Sequence, residues 1–205
     1  MVTEIEDRIL EKSRELFFRF GLRNVTMDDI AGELGISKKT LYTSFDKKKT
    51  IVEEVTKRYL DCQVRQQMEL ASNSHDAVHE LVKIMEHLNT IFESLDIRVI
   101  HDMQRYFPES WMLFENHKSD FILKSIIDNL ERGKAEGLFR EDINVDIIAK
   151  IRMEQVQLAM DPSVFPGDSY NIKEIHYQLL LQYVHGISTL KGRSLINKYM
   201  NRKDD

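Results

Sequence analysis

The chain has 205 residues, 42% hydrophobic and 31% charged, with a formal net charge of −5. No apolar run approaches the ~18–20 residues of a membrane span, and no signal peptide opens the sequence, so a soluble cytoplasmic protein with no membrane partner is expected. Cys62 is the single cysteine, which excludes an internal disulfide and fits a reducing compartment; three prolines and eight glycines point to a mostly helical chain of one large or two modest domains.

In chain order, Thr3-x-x-Glu6 forms a capping box, and Ile5, Ile9, Leu16, Phe17 and Phe20 share one face. These predict a first helix over about residues 4–20, with Ser13 as a small spacer and Gly21 as its stop. Val25 precedes Thr26, which caps a second helix whose stripe is Ile30, Ala31 and Leu34; Asp29 completes an acidic capping box. Gly35 tolerates positive φ and ends that helix sharply. Ile36 is the apolar residue of the turn, and Ser37 caps a third helix in which Leu41 and Phe45 face inward. Phe17, Phe20, Ile30, Leu34, Leu41 and Phe45 supply a small core.

The third helix leaves Lys38, Lys39, Thr40, Tyr42 and Thr43 facing out. Lysines and hydroxyls contact phosphate oxygens, and the leading residues of such a helix reach base edges in the major groove. The pattern is a helix-turn-helix, with an ordinary αα-hairpin as the plainer alternative. Thr26, Ser37, Lys38, Lys39, Thr40, Tyr42, Thr43, Lys47 and Lys48 are the candidate DNA-contacting residues. Of these, Thr40, Tyr42 and Lys48 are expected on phosphates and Lys38 and Lys39 nearest the bases. Residues 36–58 hold seven Lys and Arg against three acidic residues, so a basic end sits on an acidic body.

Asp46 caps a fourth helix with Lys47 to Lys49 in its first turn, where positive charge opposes the helix dipole and a bound phosphate relieves the cost. That helix runs through Ile51, Val55, Tyr59 and Val64 to about Leu70. Further helices are predicted over about 75–94, 97–107 and from Pro108 through Leu130 to the Gly133–Gly137 stretch. Two helices at 145–160 and 171–190 are apolar on more than one face; 161–170, with Pro162, Pro166 and Gly167, is a loop; a short helix at about 193–202 closes the chain. A helix apolar on two faces is covered on two sides, by a larger core or by a second copy of the chain. Ile148, Ile151, Val156, Leu180, Val184 and Ile187 are the candidate interface residues. Phe92, Met103, Tyr106, Phe107, Trp111, Met112, Phe114 and Phe121 cluster on the fifth to seventh helices, as core or as a pocket wall. His79, His87, His101 and Gln104 are its candidate polar groups.

Phe20-Gly21, Thr26-x-x-x-Ile30-Ala31, Gly35-Ile36-Ser37, Thr40-Leu41-Tyr42, Phe45 and Lys48 together resemble the N-terminal signature of TetR-type (TetR/AcrR) transcriptional regulators, without gaps from about Ile9 to Ile51. The chain departs from that signature at Lys39, Ser44 and Lys49. The resemblance implies an all-α fold: a helix-turn-helix DNA-binding domain at 1–48 and a helical effector-binding and dimerisation domain at 49–205. It further implies a homodimer joined through the last two long helices as a four-helix bundle, a palindromic double-stranded operator, and a small-molecule effector in a pocket lined by Phe92, Met103, Tyr106, Phe107, Trp111, Phe114 and Phe121. In such regulators the fourth helix carries movement to the DNA end.

No GxSxG, P-loop, GxGxxG or HExxH motif is present, and no Cys/His spacing suits zinc, so no enzyme, cofactor or metal is expected. The reading is a ligand-responsive dimeric repressor. Its alternatives are an activator of the same fold and a helical small-molecule-binding protein that does not bind DNA.

Overall fold

The computed structural model describes residues 4–94, 96, 98–161, 163–166 and 169–200. Thr3 of the predicted capping box, Pro162 and Gly167 of the predicted loop, and the last predicted helical positions beyond 200 lie outside the described residues. The fold is all-α. Its helices are α1 (Glu4–Phe20), α2 (Met27–Leu34), α3 (Lys38–Ser44), α4 (Lys48–Ser72), α5 (Ala77–Ser94), α6 (Arg98–Tyr106), α7 (Pro108–His117), α8 (Leu123–Ala135), α9 (Val145–Leu158), α10 (Ile172–Ile187) and α11 (Leu190–Met200). A π-helical turn, Lys118–Ile122, separates α7 from α8. Extended pairing among the described residues amounts to one antiparallel bridge, Phe139 to Ser188.

The chain forms two compact units: Met1–Gln63 with Glu93–His117, and Val64–Phe92 with Lys118–Asp205. In the first unit α1 buries Ile9, Leu10, Ser13 and Phe17, one helical stripe. Gly21 stops it at φ 84, a left-handed conformation costly for any residue with a Cβ. Phe20, predicted inside, is 43% exposed and lies under Arg19 instead. The chain leaves the helix at Gly21, and Leu22, fully buried, takes the inward place. The core then gathers Ile30, Ala31, Leu41, Phe45, Ile51, Val52 and Val55, and it continues into Val99 and Met103 of α6. Phe107, Trp111 and Phe114 pack against the same core.

The second unit is built on Ala77, Val78 and Leu81 of α5, Leu130, the 138–139 stretch, and Leu180, Tyr183, Val184 and Ile187 of α10. Leu180, Val184 and Ile187, expected from the sequence at an interface between copies, are therefore core of their own chain, 7%, 5% and 2% exposed. Ile148 and Val156 are half-buried, whereas Ile151 is 50% exposed. The single helix predicted from Pro108 onward is broken by the π turn, which inserts an extra residue and rotates the following face. There Lys118 is buried and its Nζ donates to Gln157 Oε1 at 3.0 Å. Arg132 of α8 is held by Glu136 (2.8 Å) and Glu80 (3.3 Å) and donates to the carbonyls of Ala71 and Ser74.

A short stretch at 137–140 ties three helices together. Leu138 and Phe139 N–H donate to Gly133 O at 2.8 and 3.0 Å, Arg140 N–H to Ile187 O at 2.8 Å, and Thr189 N–H to Leu138 O at 2.9 Å. Gly192 is demanded by this arrangement: a Cβ there would meet the Leu138 carbonyl oxygen at 2.3 Å. Gly192→Ala is expected to lower stability by ~1–3 kcal/mol through overpacking. Gly32→Ala in α2, where a Cβ meets nothing within 4 Å, is expected to raise it by up to ~1 kcal/mol. Denaturant titration of both variants checks the pair.

Candidate nucleic-acid interface

The interface is assembled from caps and a turn. Thr26 Oγ1 accepts from Asp29 N–H at 3.1 Å, while Asp29 Oδ2 accepts from Thr26 N–H at 2.8 Å and lies 2.7 Å from Thr26 Oγ1. These bonds hold the Asp29 carboxyl below the usual carboxylate range. Gly35, at φ 64, ends α2 in the left-handed region, and its N–H and that of Ile36 satisfy the last carbonyls of the helix. Ser37 Oγ then accepts from Thr40 N–H at 3.0 Å and starts α3. Leu41 is fully buried and pins α3 to the core, so that its opposite face turns outward.

On that face Lys38, Lys39, Thr40, Tyr42 and Thr43 are all exposed. The predicted residues differ in how free they are. Lys38 pairs with Asp28 at 2.6 Å, which raises its pKa and couples α3 to α2. Thr43 Oγ1 donates back to Lys39 O at 2.8 Å, and Ser37 and Thr40 hydroxyls share a bond of 2.8 Å. Thr26 is exposed but its hydroxyl is committed to Asp29. Lys47 is exposed beside Asp46 at 3.4 Å. Lys48 differs most: it is half-buried, with Nζ 5.9 Å from the Phe17 ring centroid and 6.0 Å from that of Phe107. Its Nζ reaches Arg23 O at 3.4 Å, and burial pushes its pKa down. Lys39 and Tyr42, the latter 49% exposed, are the least encumbered groups of the face.

Contacts between distant positions, not expected from the sequence, support this face. Arg23 N–H donates to Asp102 Oδ2 at 2.9 Å, its guanidinium stacks 4.8 Å over the Tyr106 ring, and Nη1 donates to Tyr106 OH at 3.2 Å. Lys49 pairs with Glu109 of α7. Partners some 60 to 83 positions apart leave no local trace in a sequence. The expected pocket residues are divided between the two units. Met103, Phe107, Trp111 and Phe114 belong to the core of the first unit, and Tyr106 is exposed on Arg23. Phe92 and Phe121 belong to the second unit, where Phe92 stacks on His176. Met103 and Phe114 line an apolar cavity of about 40 Å³ with Phe17, Val52, Val55 and Tyr59, far below the ~300–1,000 Å³ of a small-molecule pocket.

The family model for bacterial regulatory proteins of the tetR family matches residues 9–55, the stretch that builds α1 to α3 and the start of α4. The chain is 26% identical over 193 residues to the HTH-type transcriptional repressor KstR2 of Mycolicibacterium smegmatis, covering 91% of this chain and 92% of that one. Residues 9–55 thus carry the pattern of the tetR family. The chain is also 32% identical over 81 residues to the biofilm operon negative regulator IcaR of Staphylococcus aureus, 38% of this chain and 44% of that one. Among solved structures it matches a putative transcriptional regulator from Saccharomonospora viridis in complex with choline (TM-score 0.75, 23% identity, 91% and 98% covered). It matches the ketosteroid transcriptional regulator KstR2 of Mycobacterium tuberculosis as well (TM-score 0.60, 22% identity, 92% and 97% covered). The curated relatives it matches are HTH-type transcriptional regulators, and the stretch that builds α1 to α3 matches a family of bacterial regulatory proteins. No helix among its described residues is long and apolar enough to cross a membrane.

Because the Thr26 cap sets where α2 begins, Thr26→Ala is expected to cost ~1 kcal/mol of stability. Thr26→Ser, which keeps the acceptor oxygen, is expected to stay close to the parent in the same thermal melts.

Proposed function

We propose that this protein is a regulator of the tetR family, a cytoplasmic dimeric repressor that holds a palindromic operator and releases it when a small, largely apolar effector binds. Residues 1–48 read DNA, and residues 49–205 dimerise and take the effector. The observation that carries the reading is the α3 face, where a fully buried Leu41 presents exposed Lys38, Lys39, Thr40, Tyr42 and Thr43. Repressor is preferred because the KstR2 relative that matches nearly the whole chain is one. Lys39 reads bases, Tyr42 and Thr40 hold phosphates, and Lys48 supports the face by packing on Phe17 and Phe107.

The dimer face is the outer stripe of α9. Ile147, Ile151 and Leu158 are 53%, 50% and 40% exposed, one apolar row that the described residues leave about half uncovered. The exposed Gly186 of α10, with nothing within 4 Å of a Cβ, allows close approach of a second copy. The effector site lies in the second unit near Phe92. One structural neighbour is in complex with choline and another is a ketosteroid transcriptional regulator, which supports an effector-responsive reading. The effector must bind the released form better than the DNA-bound form. Its coupling of ~1–3 kcal/mol changes operator affinity ~5–150-fold. α4, with residues in both units, carries the change.

Operator selection followed by titration tests the DNA face. Lys39→Ala is expected to change which sequence is preferred, and Tyr42→Phe to weaken all duplexes about equally while leaving the salt slope alone, since a neutral hydroxyl displaces no counterion. Unchanged ranking of operators by Lys39→Ala would move the reading face elsewhere. Sedimentation tests the assembly: Ile151→Glu is expected to yield folded monomers that lose tight operator binding, because two half-sites ~34–36 Å apart must be held together.

A further inference from the structure

α9 and α10 bring together a set of buried polar groups that nothing among the described residues satisfies. Arg152 of α9 is 6% exposed, and no hydrogen bond reaches its Nη1. No carboxylate among the described residues pairs with it; its guanidinium lies 5.2 Å from the Tyr183 ring centroid. His176 is 4% exposed with both Nδ1 and Nε2 unpartnered, its ring stacked on Phe92 at 4.4 Å. The Tyr183 hydroxyl and Gln155 Oε1 are buried and unpartnered too. Arg152 and His176 line a cavity of about 10 Å³ with Met85, Leu88, Asn89 and Leu180.

An uncompensated buried guanidinium is among the most costly arrangements a fold can carry. The same unit shows what a structural arginine looks like, because Arg132 is closed on two carboxylates and two carbonyls. Arg152 therefore has the marks of a group waiting for an anion. We propose that Arg152, His176 and Tyr183 form the head-group site of the effector, and that the effector is an apolar monocarboxylate. This rests on the reading above, in which the second unit takes a small apolar effector.

The charge at the site decides the class. Burial, with Arg152 nearby, holds His176 down to about 4, so the imidazole is neutral at pH 7 and offers one donor and one acceptor. Burial pushes the Tyr183 phenol up, so it stays neutral. One fixed positive charge matches one negative charge. A carboxylate takes the guanidinium fork through both oxygens, a dianion would bury uncompensated charge, and a cation would be repelled. The cavity of about 10 Å³ is no larger than one water needs, so head group and apolar remainder must together displace Met85 and Leu88, of which the unbranched Met85 yields most readily. A ligand that opens the packing of α5 on α9 and α10 selects a different state of this unit, which is the condition for a switch.

The test uses the full chain with dodecanoate and dodecan-1-ol below the micellar concentration of the acid. Calorimetry is expected to show saturable binding of dodecanoate at one site per chain and much weaker binding of the alcohol. Arg152→Met is expected to weaken dodecanoate binding about 30-fold or more, while its ligand-free melting temperature equals or exceeds that of the parent, since an unpaired buried charge has been removed. Tyr183→Phe, a smaller change, is expected to weaken the acid and leave the alcohol unchanged. Equal binding of acid and alcohol would overturn the proposal, as would parental dodecanoate affinity in Arg152→Met. An Arg152→Met protein that fails to fold would assign Arg152 a structural role and overturn it as well. Dodecanoate that binds through Arg152 yet leaves operator affinity unchanged would uphold the site and remove the release reading, so the two failures are distinguishable.

Discussion

The reading helix depends on burial that it cannot supply itself. α2 and α3 have eight and seven residues, short of the ~12–15 at which an isolated helix becomes even marginally stable in water. Their caps remove the cost of unsatisfied N–H groups, but position comes from Ile30 and Leu41 sinking against Phe17. That core does not end with the first three helices. Val99 and Met103 belong to it, and Phe107, Trp111 and Phe114 press on it from α6 and α7. Arg23 on Asp102 and Tyr106 repeats the connection with polar contacts, and Lys48 repeats it with a half-buried ammonium over Phe17 and Phe107. The orientation of α3 is thus a property of a larger body than the helix-turn-helix alone.

This body gives regulation a physical route. A change in α6 or in the first turns of α4 acts on residues that already share a core with α3, so no long chain of intermediates is needed within the first unit. The cavity of about 40 Å³ beside Met103 and Phe114 gives those side chains some room to repack. The second unit contributes a contrasting feature. Its structural arginine, Arg132, is fully committed, whereas Arg152 is buried beside Tyr183 and His176 with its Nη1 unused among the described residues. Stability that is given up at one point of a core, with the rest well satisfied, is the pattern of a site kept for something else.

The parts of this architecture governed by local rules were legible in the sequence. Thr26 with Asp29, Gly35 and Ser37 are cap and turn residues whose job is settled by neighbours three or four positions away, and each sits where those rules place it. The outward face of α3 followed from the inward pair Leu41 and Phe45. What depended on distant partners was not legible. Apolar spacing marks Met103 and Phe107 as inward, but not which core they enter. The same limit applies to Leu180, Val184 and Ile187: an apolar stripe looks alike whether a neighbouring helix of the same chain or of a second copy covers it. Phe20 went astray because helical periodicity was carried one residue too far, to the position where Gly21 turns the chain away. The π turn at Lys118–Ile122 has no local signal either; its buried Lys118 is paired with Gln157, 39 positions on.

The central claim is that the DNA-reading helix takes its place from a core that includes α6. Operator affinity of Met103→Ala, measured by fluorescence anisotropy well below the melting temperature of the variant, tests it most directly. Met103 is 7% exposed and stands more than fifty residues from α3 in sequence, so it has no means of touching DNA through local chain connectivity. The account predicts weaker operator binding with the order of preferred sequences preserved, together with the ~2–5 kcal/mol loss of stability usual for such a truncation. A variant that loses that stability yet binds its operator as tightly as the parent would contradict it.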